Sequence, residues 1–214
     1  MPRFSYMKHF IFFLMFVGPL VALGQANDSK AVKETFSNYK KAILDSDGEE
    51  AAKWVDSKTV AYYDQMLKAS LDADSADVAV LGVIDKLTIF SVRHRIPRQE
   101  IAQLNGRQFL IYSIDRGMVG KNTVGNVEIG DVNVDGNSAS GQLISQGRKS
   151  PLYFQFNKEE GAWKLDLTSL LPATNTGLRK MIADQGMTEN EFIFQALEMM
   201  NGKPVTADIW SPMK

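Results

Sequence analysis

The sequence predicts an α+β fold: N-terminal helices packed on a curved antiparallel sheet of about four strands, followed by a C-terminal helical extension. Three observations carry this prediction. Apolar residues recur at three- and four-residue steps in the first half of the chain, then alternate with polar ones in the middle, and Thr188-Glu189-Asn190-Glu191 opens a helical stretch near the end. The first spacing marks one face of a helix, the second one face of a sheet, and the third is a capping box.

A helix over residues 30–45 follows from Val32, Phe36, Tyr39 and Ile43, which form one stripe, and Asp45-Ser46-Asp47-Gly48 stops it. A short helix over 49–55 offers Ala52 and Trp54 to the core. Ser57 is the expected cap of the next helix, where Val60, Tyr63, Met66, Leu67 and Leu71 share a face. Cap residues at 72–75 make a break. Residues 78–92 read as one helix on Leu81, Ile84, Leu87 and Ile89. Pro97 opens a short helix through Leu104, Asn105-Gly106 breaks it, and the ambiguous run 109–114 reads as helix closed by Gly117.

In the middle, Val127 and Ile129 alternate in one phase and Val132 and Val134 in the other, which predicts a β-bulge at Gly130-Asp131. Asp135-Gly136-Asn137 is a hairpin turn, and Ala139, Gly141 and Leu143 continue on the second strand. Residues 147–151 turn the chain, Leu152, Phe154 and Phe156 form the third strand, residues 157–161 turn it again, and Trp163, Leu165 and Leu167 form the fourth. In the tail a helix over 178–185 precedes the one opened by the capping box. Met187 and Phe192 stand where a hydrophobic staple belongs. Asn201-Gly202 and Pro204 end that helix, and residues 209–212 form a strap that packs Trp210 onto the body.

The start of the chain has the organisation of a secretory signal peptide. Arg3, Lys8 and His9 precede an apolar run of about 14 residues, short of the roughly 20 a spanning helix needs. Gly24 and Ala26 fit the small positions of a cleavage site, so removal of residues 1–26 is expected, with cutting after Gly24 or retention as an anchor as the alternatives. Periplasmic or secreted localisation follows for a bacterial protein, with residues 27–170 as the main domain and 171–214 as an extension packed on it. The chain has no cysteine, hence no disulfide, lipid-attachment or thiolate chemistry. Two of its 24 basic and none of its 25 acidic residues lie in 1–26, leaving a net charge of about −3 with histidine neutral. That balance argues against nucleic acid as a partner.

The segment Val32-Lys33-Glu34-Thr35-Phe36 through Tyr39, Ala42 and Asp47-Gly48 looks like the first helix of bacterial proteins of the nuclear-transport-factor-2-like, or cystatin-like, α+β superfamily. The closing hairpin, Leu152-Tyr153-Phe154-Gln155-Phe156 followed by Gly161-Ala162-Trp163-Lys164-Leu165-Asp166-Leu167, resembles that superfamily's final strands. The resemblance covers roughly residues 30–170 and implies a helix held in the hollow of a curved sheet, with a cone-shaped pocket between them. Two features depart from it: the helical stretch 76–117 is longer than usual, and the tail after 170 is extra. The superfamily hosts isomerases, dehydratases and cyclases as well as non-catalytic binding modules, so fold alone does not assign a function.

Candidate chemistry is sparse. After removal of 1–26, His94 is the single histidine, and its neighbours Arg93, Arg95 and Arg98 are cationic. A Ser-His-Asp triad would have to use it. No Gly-x-Ser-x-Gly elbow occurs, and a histidine–cysteine zinc site is impossible. Asp131-Val132-Asn133-Val134-Asp135-Gly136 superficially resembles a calcium loop but lacks the spaced glutamate and lies in strand residues. No metal or cofactor site is read. Arg93, Arg95 and Arg98 form either an anion site or a set of cations serving a helix C-terminus. Asp85 and Asp115 are the candidate general bases if an apolar pocket desolvates them, with a solvated helix-face carboxylate as the favoured alternative for each. Tyr62, Tyr63, Tyr112 and Tyr153 are candidate pocket-lining groups, with core or rim packing as the alternative.

The favoured reading is an exported, non-catalytic domain binding a small apolar ligand or an envelope protein. The alternatives are a pocket enzyme using a buried Asp and a Tyr, and a module that forms a homodimer.

Overall fold

The computed structural model describes residues 18–119, 121 and 124–214, with side chains described from Ala26 onward. Its first helix, α1 (Gly18–Asp45), begins well before residue 30. Leu, Ala, Gln and Lys between 20 and 31 are good helix formers, so nothing stops the helix from running back through the expected cleavage region. The rest of the expected signal segment, 1–17, lies outside the described residues. No helix among the described residues is long and apolar enough to cross a membrane.

The remaining helices before the sheet are α2 (Gly48–Ala51), α3 (Ser57–Asp72), α4 (Ser75–Ala79), α5 (Val83–Arg95), α6 (Arg98–Ile101) and α7 (Gly106–Asp115). Five expectations change. The helix that Pro97 opens ends at Ile101 instead of reaching Leu104. The α3 cap is Asp56, whose carboxylate accepts from Thr59 N, with Ser57 as the first helical residue. The single helix expected over 78–92 is two, broken at Val80–Gly82, because Asn175 from the tail accepts from Ile84 N and so starts α5 afresh. Asn105 opens α7 instead of only ending a helix, through a reciprocal bond with Gln108. The short helix expected over 49–55 ends at Ala51, because Trp54–Asp56 turns to run beside the sheet.

Four strands follow, β1 (Val127–Asp135), β2 (Ser138–Ser145), β3 (Arg148–Glu159) and β4 (Ala162–Asp166), paired antiparallel in chain order. The β1–β2 register shifts between Ile129 and Val132, which is the bulge that the phase slip predicts. The hairpins are tighter than expected. Gln146-Gly147 and Glu160-Gly161 each take positive φ at both positions, the geometry of two-residue turns matched to strand twist, so β3 starts at Arg148 and runs to Glu159. Pro151 falls in this strand, but the β2–β3 register shifts there and β4 pairing begins only at Gln155. Its missing N–H therefore costs the ladder nothing. At the other edge of the sheet, Leu165 bonds the Trp54–Asp56 segment at both its N–H and its carbonyl, which covers β4.

Strand β4 stops short of Leu167, expected as its last apolar residue, because the Asp166 carboxylate accepts from Thr168 N and opens a 3-10 turn, Leu167–Leu170. The tail consists of α8 (Leu171–Asp184), α9 (Glu189–Asn201) and a second 3-10 turn, Ala207–Trp210. Helix α8 starts seven residues earlier than expected, with Pro172 in its first turn. The capping box at Thr188 and the left-handed stop at Gly202 are as the sequence predicts.

The buried apolar side chains form two clusters. In one, α1 lies on the sheet: Val32, Phe36, Tyr39 and Ile43 pack with Phe156, Trp163 and Leu165, and the Phe36 and Phe154 rings stand 5.4 Å apart. In the other, α3 and α5 pack with the tail: Leu67, Ile89 and Phe90 meet Ile182, Ile193 and Leu197. Trp210 packs on the body as expected, its ring 4.8 Å from Phe90 in an edge-to-face arrangement. Tyr63 of α3 touches both clusters. Helix α7 also serves both, with Leu110 and Ile114 facing the sheet and Phe109 facing the helices.

Candidate functional site

Helix α3 ends with its last carbonyls short of partners, as every helix does. Arg93, from the last turn of α5, supplies them. Its Nε donates to Ser70 O at 2.9 Å, its Nη2 to Ala69 O and Ala73 O at 3.0 and 2.5 Å, and its Nη1 reaches the strap at Ile209 O, 3.0 Å. Arg98 does the same one step along, donating to Leu71 O and Met213 O at 2.9 and 3.0 Å and to the Asp72 carboxylate at 3.1 Å. The strap answers with Met213 N–H to Leu71 O. The cations therefore serve a helix C-terminus, but that of α3 rather than of α5, to which Arg93 belongs.

His94 holds the end of α9 to this assembly. Asn201 Nδ2 lies 2.8 Å from its Nδ1, and its Nε2 lies 3.3 Å from Pro204 O. The neutral tautomer protonated on Nε2 satisfies both contacts.

Between these elements and the strap lies a half-open recess of about 490 Å³. Arg93, His94, Arg98, Lys203 and Lys214 contribute positive or titratable groups to it, against Asp208. Ile96 and Ile209, both buried, and Met213 contribute apolar surface. Three of the sequence-named residues thus converge here. Arg95 is exposed one residue away and does not line the recess. Sequence reading missed Lys203, Asp208 and Lys214 as wall residues, while Met213 belongs to a set of tail methionines that the sequence offers either as an adaptable binding surface or as ordinary packing. The available clue was Gly202 and Pro204 after the helix, which end it and let the chain change direction.

The other named residues are dispersed. Tyr62 donates to Asp85 Oδ1 at 2.7 Å, tying α3 to α5. Burial, then this bond, raises the Tyr62 phenol well above its ordinary range. Tyr63 sits at the seam of the two clusters, where burial pushes its phenol up to about 12. Tyr112 donates to Glu100 Oε2 at 2.6 Å, and Arg116 shares that oxygen while its guanidinium lies 5.1 Å from the Tyr112 ring. Burial and then Glu100 raise the Tyr112 phenol. Tyr153 is exposed on β3. Asp115 is exposed rather than placed in an apolar pocket, and its Oδ1 accepts from Gly48 N at 2.8 Å, anchoring the start of α2. Asp85 and Tyr62 are the one candidate acid–base pair in contact, and neither lines the recess.

A second recess, about 420 Å³ and more open, lies where the 52–57 segment meets Arg107 and the β3–β4 hairpin. It is the shallower of the two, and its charged side chains are tied to neutral groups: Glu159 accepts from Ser57, Arg107 donates to Ala52 O and Lys164 to Lys53 O. Among the described residues no group of three or more carboxylates and histidines is placed to hold a metal ion. The Asp131 carboxylate of the calcium-like segment pairs with Lys149 at 2.7 Å.

Sequence reasoning also passed over Asp28, which accepts from both Lys158 Nζ and Trp163 Nε1 at 2.9 Å. Those bonds hold its carboxyl below the ordinary range. They also fix the chain to the sheet two residues after the expected cleavage site. A scan against protein-family models, a search of curated proteins and a search of solved structures each return no match.

Proposed function

We propose that this chain is an exported, non-catalytic binding domain of the nuclear-transport-factor-2-like, cystatin-like kind, and that its ligand occupies the recess between α5, α6 and the C-terminal strap. The observation that carries the reading is the recess itself. Its volume suits a small molecule, and it is bordered by side chains that the surrounding backbone already holds in place. The gap between α1 and the sheet, where the superfamily resemblance locates a pocket, is occupied by packed aromatic and aliphatic side chains. That shifts the expected site to the tail side of the molecule. The non-catalytic part of the reading is supported by the employment of the candidate groups. Asp85, Asp115, Tyr62, Tyr112 and His94 each hold two elements together. Export is supported by the N-terminal charge and apolar pattern, and the Asp28 contacts are compatible with cleavage at either expected position.

Native mass spectrometry of the chain purified gently from an exporting cell tests both parts. The polypeptide mass should begin at Asn27 or Gln25, and a non-covalent adduct should accompany it. Ser211→Trp, which fills the recess from an exposed position, should remove the adduct. Full-length polypeptide in the cytoplasm refutes export. Absence of an adduct, or one that Ser211→Trp leaves in place, refutes the recess.

A further inference from the structure

The chain carries a net negative charge, yet in the recess Arg93, Arg98, Lys203 and Lys214 stand against Asp208 alone. Arg93, Lys203 and Lys214 have no ion-pair partner among the described residues. Most cations elsewhere on the described surface are paired. Arg98, also in the wall, has only the exposed Asp72 as counter-charge. Arg93 is the informative member. Its guanidinium is held on four neutral carbonyls, three at the end of α3 and Ile209 O of the strap, so its position is fixed while its charge meets only partial negative charges. Four of its five N–H groups are spent on these carbonyls, so Arg93 acts on an anion chiefly through a positive charge fixed in place, with one Nη1 hydrogen left to donate. Beside it, Ile96, Ile209 and Met213 present apolar surface within the same recess.

We infer that the recess takes an organic anion with an apolar end, a carboxylate or phosphate head set between Lys203, Lys214 and the arginines and an alkyl or aryl body laid against Ile96, Ile209 and Met213. This rests on the recess being the ligand site and adds the class of ligand. The head can belong to a free amphiphile or to an anionic lipid in a bilayer.

Calorimetric titration of the exported chain with monomeric dodecanoate and dodecyl phosphate, against uncharged dodecanol, decides the class. The anions should bind at least about tenfold more tightly than the alcohol. Added salt should weaken them as screening dictates. The double substitution Lys203→Glu with Lys214→Glu should weaken both by at least about tenfold. Both lysines are exposed, so folding should be unaffected, and an unchanged thermal midpoint checks this. The His94 imidazole resonances, from the recess wall, should move on titration of the parent chain. Phosphatidylcholine vesicles with and without phosphatidylglycerol separate the sources: flotation only with the anionic lipid supports the inference and assigns the head to a bilayer. Equal affinity for alcohol and anion, binding indifferent to the double substitution, or no binding of any anionic probe overturns it. If a neutral molecule is displaced by Ser211→Trp in the native spectra, the recess stands and only the anionic class falls.

Discussion

Lys86 is buried, and its ammonium reaches Glu189 Oε2 at 3.0 Å, while Arg179 Nε holds the other oxygen of that carboxylate at 2.9 Å. Burial works to raise the Glu189 carboxyl, but the bonds from Lys86 and Arg179 outweigh it and the net displacement is downward. A carboxyl depressed in the folded state stabilises fully above its ordinary value and loses that contribution as the pH falls through the depressed one. Glu189→Gln should therefore cost about 1–3 kcal/mol near neutrality. The deficit should shrink below the ordinary glutamate range, as urea unfolding at a series of pH values would show. A deficit of constant size from neutrality to strong acid contradicts the pairing. Partnerships of this kind were the part of the site that sequence could not supply. Arg93, His94 and Arg98 were legible as a cation cluster because they are adjacent in the chain. Lys203 and Lys214, more than a hundred residues away, meet them only because of how the strap returns. Asp85 and Asp115 looked alike as carboxylates beside apolar residues, and only the fold gives one a tyrosine and the other a helix N-terminus.

Elements were legible where the signal is local. The Thr188 capping box and the Gly130-Asp131 bulge depend on neighbours within a few residues, and each is found where the pattern puts it; the hairpin alternation is found too, with tighter turns and without Leu167 in the last strand. The misreadings share a cause, which is a partner remote in sequence. The break before α5 answers to Asn175, and the shortness of α2 answers to Leu165. Asn105-Gly106 is the instructive case, since a breaker signal proves to be a helix start at a crossing. A Cβ on Gly106 would lie 2.5 Å from Val60 O and 2.8 Å from Asp64 N, both backbone atoms of α3. Such contacts cannot be relieved by rotating a side chain, so α7 must move off α3. Helix α7 feeds both clusters, so Gly106→Ala should destabilise by about 1–3 kcal/mol as an overpacking change. Its effect should exceed that of Gly177→Ala, where nothing lies within 4 Å of the added methyl and helix propensity favours alanine. Thermal unfolding of the two variants side by side checks the ranking, and equal midpoints would show that the α3–α7 crossing is loose.

For the whole molecule, the helical stretch over 76–117 and the tail after 170 form one structure. The long helical stretch before the sheet and the tail pack on each other, and neither has a complete apolar face without the other. Ile182, Ile193, Leu197 and Ile209 of the tail are all buried. Each such side chain stabilises by about 1.5–3 kcal/mol, so losing four is comparable to the roughly 5–15 kcal/mol by which a domain is stable at all. Removal of the tail also strips Phe90 of Phe194 and Trp210, and leaves the carbonyls at the end of α3 with arginines that have lost their strap. The tail is thus a constituent of the fold, and the recess it closes cannot be transferred to a chain ending before Leu171. Such a truncated chain should keep helical far-ultraviolet dichroism, lose the sharp thermal transition and bind an apolar dye. The damage should spread to the sheet cluster through Tyr63 and α7, which serve both. A truncated chain that melts sharply with a dark dye would mean that the sheet cluster folds by itself, and that α3 and α7 do not couple the two halves.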